Sequence, residues 1–198
     1  MTNQSGPGRP REFDLDVATR DAMEVFWQRG YEGASLPDLI EGTGLSRGSL
    51  YKAFGDKKGL LLAALDVYMA RGLKDTSDLL SQPGAVKDAI RASLLRYARL
   101  SSGEAGRRGC LVVAMATEMA AHDPEIAERT GRMFRRLQQL YAAAIVRGQA
   151  RGEIPERDEQ ALARFLVGQA QGMRVLGKTG MTEADMAAMV DTTMLVLD

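Results

Sequence analysis

Apolar side chains recur at steps of three and four residues along nearly the whole chain, and this spacing limits the possible fold more than any other feature. The first run includes Leu15, Ala18, Ala22 and Phe26, and similar runs follow towards the C-terminus. Such spacing places side chains on one face of a helix, whereas a half-buried strand needs strict alternation, which no segment has. The 198 residues therefore predict an all-α protein of about nine helices.

The formal charges of the chain cancel to zero, so binding to a nucleic acid cannot depend on a general positive charge. The positive charge is local instead. Arg9 and Arg11 lie near the N-terminus, an acidic stretch follows, and residues 44–58 are basic again. A contact with nucleic acid is therefore expected in these two segments.

Composition excludes several other kinds of site. The chain has one cysteine and one histidine, too few for an internal disulfide or for the usual zinc ligand sets, so we expect no metal and no cofactor. The longest run of low polarity, residues 109–121, is too short to span a bilayer, and the N-terminus lacks a signal-peptide pattern. These observations predict a cytoplasmic protein without membrane contacts.

Two segments match motifs of enzymes. Residues 44–48 fit the G-x-S-x-G signature of serine hydrolases, but that signature needs a preceding strand, and Ser46 is better explained as the N-cap of a short helix. Residues 172–179 fit the Walker A pattern, which would make the chain a P-loop nucleotide-binding enzyme. The apolar spacing before this second match favours a helix that ends near Gly177 and Lys178, so we expect no catalytic residues.

Residues 35–58 predict a helix-turn-helix. Two short helices, capped by Ser35 and Ser46, are separated by a turn that contains glycine. In such a unit the N-terminal end of the second helix reaches base edges in the major groove, and flanking residues contact phosphates. The residues expected at the bases are Ser46, Arg47 and Ser49, and the expected phosphate donors are Tyr51, Lys52 and Lys57.

The run GYEGASLPDLIEGTGLSRGSLYKAFGDKKGLL, which starts at Gly30, strongly resembles the DNA-binding domain of the TetR family of transcription regulators. The resemblance implies an N-terminal helix-turn-helix domain, residues 1–55, and a C-terminal helical domain for effector binding and dimerisation, residues 56–198. It also implies a homodimer that binds a palindromic double-stranded DNA operator and releases it when a small molecule binds.

Matching positions of the family imply Ser35, Tyr51 and Lys57 on phosphates, and Arg47, Gly48 and Ser49 near the bases. The chain departs from the family at Lys52 and Ala53, where an aromatic residue and a histidine are common. Side chains at these positions affect operator contacts, so the operator sequence stays open. The sequence also does not decide between repressor and activator, and repression is the leading interpretation.

The basic N-terminal segment has two interpretations. Arg9 and Arg11 could form an arm in the minor groove, where a narrow groove attracts arginine, or they could belong to an ordinary terminal tail. The dimer interface is predicted in the last two helices, where small and apolar residues form a stripe that resembles the family's four-helix interface. Its candidate residues are Phe165, Gly168, Gly172, Met186, Met189 and Thr193.

Cys110 also has two interpretations. It is the only thiol, it follows Arg107 and Arg108, and it starts a predicted helix, a setting that favours the reactive thiolate form. The surrounding RRGCLV resembles a subgroup of TetR regulators that sense electrophiles or oxidants. The alternative is a small buried side chain of the core, which is how most free cysteines behave.

A small-molecule effector is expected among the central helices. Its candidate contacts are polar or aromatic residues on otherwise apolar helix faces: Tyr97, Glu118, Phe134, Tyr141 and Gln169. Glu118 lies in the most apolar helix, predicted to be enclosed on all sides, so its carboxylate should face a cavity or pair with an arginine of the next helix.

Overall fold

The computed structural model describes residues 15–198, which form helices and turns without any strand. Within these residues there are ten α-helices, and two short 3₁₀ turns follow the last two of them, at Gly177–Thr179 and Leu195–Leu197. The helices are α1 (Leu15–Gly33), α2 (Leu36–Thr43), α3 (Arg47–Phe54), α4 (Lys57–Leu80), α5 (Val86–Leu100), α6 (Gly103–Arg108), α7 (Leu111–Met119), α8 (Pro124–Ala150), α9 (Glu159–Leu176) and α10 (Glu183–Met194). The all-α prediction is confirmed, and the short α6 is the one helix that the apolar spacing did not predict.

Local capping groups explain where these helices begin. The Ser35 hydroxyl and the Asp38 carboxylate form a reciprocal capping box at α2, and Thr182 and Asp185 form another at α10. The Ser46 side chain accepts a hydrogen bond from the backbone N–H of Ser49 and caps α3. Each cap provides an acceptor for amides that have no partner within their own helix.

α1 is interrupted close to its C-terminal end. Gly30 has φ 73° and ψ −178°, a backbone conformation that side-chain-bearing residues rarely adopt, and the helix resumes for one further turn to Gly33. The predicted end near Gly30 is therefore a kink followed by a short continuation. This kink brings the last turn of α1 beside α7.

The buried side chains form one hydrophobic core. α1 packs on α2, α4 and α7, and the part of the core near α2 and α3 contains Phe26, Leu39 and Leu50. In the remaining helices α8 packs on α9 and α4, and α10 packs on α5. No helix within residues 15–198 is long and apolar enough to cross a membrane.

α7 is less enclosed than its composition predicts. Leu111, Val112 and Met115 are fully buried, but Thr117 and Glu118 near its C-terminal end are exposed. α7 contacts α1 on one side and α8 on the other, so one edge of it faces outward. The prediction of a central helix covered on all sides is therefore wrong for its last turn.

Candidate nucleic-acid interface and sensor region

The N-terminal end of α3 presents an exposed polar surface. Ser46, Arg47 and Gly48 are exposed, and the hydroxyl groups of Ser46 and Ser49 lie 3.0 Å apart. The Arg47 guanidinium lies 5.6 Å from the centroid of the Tyr51 ring, one helical turn further along. On the opposite side Leu50 is buried, so the polar side is directed away from the core.

Three side chains on and beside α3 could contact phosphates. Tyr51 is 41% exposed and Lys52 is exposed, both on α3. Lys57 is the first residue of α4, and its ammonium nitrogen lies 4.4 Å from the centroid of the Tyr31 ring. A cation over the negative face of an aromatic ring is attracted to it, so the ring gives Lys57 a preferred direction.

Lys58, the next residue, does not add to this positive surface. Its Nζ lies 2.7 Å from Asp123 and 3.3 Å from Glu125 at the start of α8. The hydrogen bond with Asp123 raises the pKa of Lys58 and lowers the pKa of Asp123. The charge of Lys58 is compensated within the protomer, so the basic segment is less basic than the sequence alone indicates.

Ser35 is fully occupied by its own capping box. Its hydroxyl donates to the Asp38 carboxylate at 2.6 Å, and its amide donates to the same oxygen at 2.9 Å. These two bonds lower the pKa of Asp38, which also lies 3.4 Å from the Arg29 guanidinium. A phosphate contact by Ser35 requires exchange of these bonds. Arg9 and Arg11 lie outside the described residues.

Neither enzyme motif has the backbone conformation that the corresponding enzyme class requires. Gly44 and Ser46 lie in the turn between α2 and α3, where no strand precedes the serine. Gly172 lies inside α9, and Gly177 to Thr179 form a 3₁₀ turn, so the backbone amides of the Walker-like segment belong to helices. A phosphate loop needs open amides that point inward, so the P-loop alternative is not supported.

Cys110 is the N-cap residue of α7 and is only 6% exposed. The Tyr68 hydroxyl donates to its sulfur at 3.6 Å, and burial raises the pKa of Tyr68. The carbonyl of the preceding Gly109 accepts hydrogen bonds from Trp27 Nε1, at 3.3 Å, and from the buried Arg174 guanidinium. The thiol therefore lies beside a set of hydrogen bonds that joins α1, α7 and α9.

Arg108 extends this junction towards the N-terminal helices. Its guanidinium lies 4.1 Å from the centroid of the Trp27 ring and pairs with Glu24, another residue of α1. The Trp27 ring also meets the Tyr68 ring edge-on, with centroids 5.0 Å apart. The residue expected to act on the thiol through its charge is thus engaged with α1.

The five predicted effector contacts do not line one site. Tyr97 and Tyr141 are buried in the core, which raises the pKa of both, and their hydroxyls bond to Thr76 at 3.3 Å and Ser93 at 2.8 Å. Phe134 is half-buried on α8, and Gln169 lies in a groove between α9 and α10.

Glu118 is not enclosed, and its recorded hydrogen bonds do not involve an arginine. It is exposed, and its two carboxylate oxygens accept the backbone N–H groups of Tyr31 at 3.1 Å and Glu32 at 2.8 Å. The prediction that it faces a cavity or pairs with an arginine is therefore not confirmed. The sequence missed this contact because its partners are backbone groups in a distant helix.

A groove of about 520 Å³ lies between α9 and α10, and three of the six predicted dimer residues, Phe165, Met189 and Thr193, line it. A side chain added at Gly168 or Gly172 would have no neighbour within 4 Å in the protomer. Thr193 is nearly buried at the groove floor. The structure corrects the prediction that Met186 lies at the dimer interface. Its side chain is fully buried within the protomer, because this side of α10 packs on α5.

Two consecutive parts of the chain match known protein domains. Residues 19–77 match the bacterial regulatory proteins of the tetR family, and residues 86–192 match the tetracyclin repressor-like C-terminal domain. The chain is 32% identical to the HTH-type transcriptional regulator YezE of Bacillus subtilis (strain 168), over 96% of this chain and 100% of that protein. It is 34% identical to the HTH-type transcriptional repressor ComR of Escherichia coli (strain K12), over 94% of this chain and 90% of that protein.

Solved structures resemble the fold over almost its whole length. A cysteine mutant of the TetR family transcriptional regulator CifR, complexed with 26-bp double-strand operator DNA, is 30% identical, with a TM-score of 0.86 over 96% of this chain and 100% of that chain. The reduced form of E. coli NemR has a TM-score of 0.82, over 92% of this chain and 97% of that chain, at 18% identity, a likeness of fold alone.

Proposed function

The chain belongs to the TetR family of bacterial transcriptional regulators, and from this membership we propose that it is a repressor that leaves a palindromic operator when an effector acts on its C-terminal helices. The observation that carries the proposal is the exposed N-terminal end of α3, where Arg47 is exposed and the half-buried Ser49 lies beside the Ser46 cap. That end is held by the Ser46 cap and by the buried Leu50, as a recognition helix requires.

Contacts with DNA divide into two groups in this proposal. Arg47, Gly48 and Ser49 approach base edges, because arginine can donate two hydrogen bonds to guanine and serine can serve several bases. Tyr51, Lys52 and Lys57 contact phosphates, which position the helix without reading sequence. Arg9 and Arg11 would add contacts in the minor groove, and the division into residues 1–55 for DNA and 56–198 for effector and dimer is part of the same proposal.

A homodimer would form through α9 and α10. Phe165 is 41% exposed in the protomer, and Val175, nearly three turns further along α9, is 51% exposed, so a second copy on α9 would cover apolar surface. Gly168 and Gly172 would allow close approach of the partner helix. Two-fold symmetry would place two recognition helices about 34–36 Å apart, on successive major grooves of one palindrome.

Binding assays test the repressor proposal. We expect selection from random duplexes to enrich an inverted repeat that is bound by an even number of chains. The affinity should fall linearly with salt on logarithmic axes, by a slope of about 0.9 for each phosphate contact. Fluorescence anisotropy at increasing salt measures this slope. Failure to enrich any repeat, or an affinity that salt leaves unchanged, would refute the proposal.

We propose modification of Cys110 as the covalent route to release. The thiol is 6% exposed and contacts Tyr68, so an added group must displace neighbours that also hold Trp27 of α1. In the reaction with a maleimide, the sulfur adds to the double bond and the thiol proton passes to the adjacent carbon. The adduct would favour the form in which the recognition helices are misplaced, a shift of population between two forms.

Treatment with N-ethylmaleimide should lower operator affinity of the wild-type chain by about 100-fold, equivalent to about 2.7 kcal/mol. The Cys110→Ser variant should bind the operator normally and should not respond to the reagent. Mass spectrometry confirms that one adduct forms, and anisotropy gives the affinity. An adduct at Cys110 without loss of affinity, or an equal loss in Cys110→Ser, would leave a non-covalent effector as the route to release.

A further inference from the structure

Glu118 supports the last turn of α1 from a distant helix. Its carboxylate accepts the backbone N–H groups of Tyr31 and Glu32, at 3.1 Å and 2.8 Å. These amides follow the kink at Gly30, and the first amides of a helical turn have no acceptor inside that turn. A Cβ at Gly30 would lie 2.9 Å from the carboxylate, so the glycine also allows this close approach. Glu118 is therefore a cap supplied by α7.

The residue that is capped in this way carries the ring that orients Lys57. The Tyr31 ring stacks on Phe26 with centroids 6.2 Å apart, and the Lys57 ammonium lies 4.4 Å from its centroid. Phe26 is fully buried in the core of the N-terminal helices. The ring therefore contacts a buried core residue and also lies close to the ammonium. A shift of the Tyr31 backbone would move this ring, and with it the preferred position of Lys57.

We infer that Glu118 is a positioning residue for DNA binding, because its carboxylate fixes Tyr31 and thereby aims Lys57 at an operator phosphate. The inference rests on the proposed function, since it requires Lys57 to contact DNA. It goes beyond that function by assigning a role to a residue of α7 that is not itself a DNA contact. Specificity should not depend on Glu118, because phosphate contacts carry no sequence information directly.

The same contact provides a path from the effector half of the chain to DNA. α7 is preceded by its N-cap Cys110 and ends one residue after Glu118, so its two ends contact α1 at Trp27, through the Gly109 carbonyl, and at Tyr31. A displacement of α7 relative to α1 would change both contacts. Lys58 is held separately by Asp123, beyond the end of α7, so release of Glu118 would affect Lys57 selectively.

A double-mutant cycle on the full-length chain tests the inference with a selected operator duplex. Glu118→Ala should weaken operator affinity about tenfold and reduce the salt slope by about 1.8, since a dimer would lose one phosphate contact, worth about 0.9, in each half-site. Lys57→Met should have the same two effects, and the double variant should lose no more than either single one. Amide hydrogen exchange should accelerate at Tyr31 and Glu32 in Glu118→Ala. Glu118→Gln keeps one acceptor oxygen and should lose about threefold in affinity.

Thr117→Ala is the matched control, because Thr117 is the exposed neighbour of Glu118 and its hydroxyl bonds to carbonyls of α7 itself. It should leave affinity and salt slope unchanged. Additive losses in the double variant, or a Glu118→Ala variant with an unchanged slope, would overturn the inference. These outcomes can be distinguished from failure of the proposed function, because in that case the wild-type chain itself would bind no inverted repeat.

Discussion

Replacement of Arg47 by alanine is expected to weaken operator binding by about 100-fold, since a dimer would lose one bidentate base contact in each half-site and each such contact is worth about 1–3 kcal/mol. Arg47 is the first residue of α3, it is exposed, and its guanidinium lies 5.6 Å from the centroid of the Tyr51 ring. Binding to non-specific duplex should fall much less, because phosphate contacts remain. Anisotropy on operator and scrambled duplexes measures both.

Arg47→Lys separates base reading from phosphate contact at this position. Lysine keeps the charge but lacks the planar fork that bonds two guanine acceptors. If Arg47 reads a base, the lysine variant should lose most of the specific affinity and keep its non-specific affinity. Arg132→Ala removes an equally charged, exposed side chain from α8 and should change neither value. Full affinity in Arg47→Lys would show that Arg47 contacts only phosphate.

Replacement of Gly177 by alanine is expected to destabilise the fold by about 2–4 kcal/mol, because a closely packed backbone leaves no room for a methyl group. A Cβ at Gly177 would lie 2.9 Å from the carbonyl carbon of Ser101 and closer still to its oxygen. The added methyl group would clash with the backbone of Ser101, so a rotation of side chains cannot relieve the clash. Urea unfolding followed by circular dichroism should show a lower midpoint with an unchanged slope.

Gly72→Ala is the matched control for this effect. Gly72 lies inside α4, and a Cβ there would make only an ordinary contact, 3.5 Å from the end of the Met133 side chain. Alanine is the better helix former by about 1 kcal/mol, so this variant should be as stable as the wild type or more so. Equal stability of Gly177→Ala and wild type would show that α9 ends less tightly against Ser101.

Sequence alone predicted those features that depend on neighbours within a few residues. The caps at Ser35 and Ser46 use acceptors and amides three positions apart, so spacing and residue type are sufficient to identify them. The exposed end of α3 follows from such a cap together with the apolar positions of Leu50 and Phe54. For the same reason the resemblance over residues 30–60 was readable, because it lies in one continuous stretch.

Features that join distant segments were not predictable in this way. The partners of Glu118 are backbone amides of α1, and backbone amides have no signature in a sequence. Lys58 counted as part of a basic segment because its acidic partner, Asp123, lies in another helix. Met186 and Met189 belong to the same apolar stripe, yet only Met189 faces the open groove. Helical spacing identifies an apolar face but does not say whether the same chain or a second copy covers it.

Trp27 is an intrinsic fluorescent probe of the junction between α1 and α7. It is the only tryptophan of the chain, and its indole is bounded by the Tyr68 ring, the Arg108 guanidinium and the Gly109 carbonyl. Indole emission responds to a nearby cation and to the hydrogen bonding of its N–H group. If modification of Cys110 releases the operator as proposed, intrinsic fluorescence in a stopped-flow instrument will time the change around Trp27 separately from the departure of labelled DNA, and so give the order of the two events.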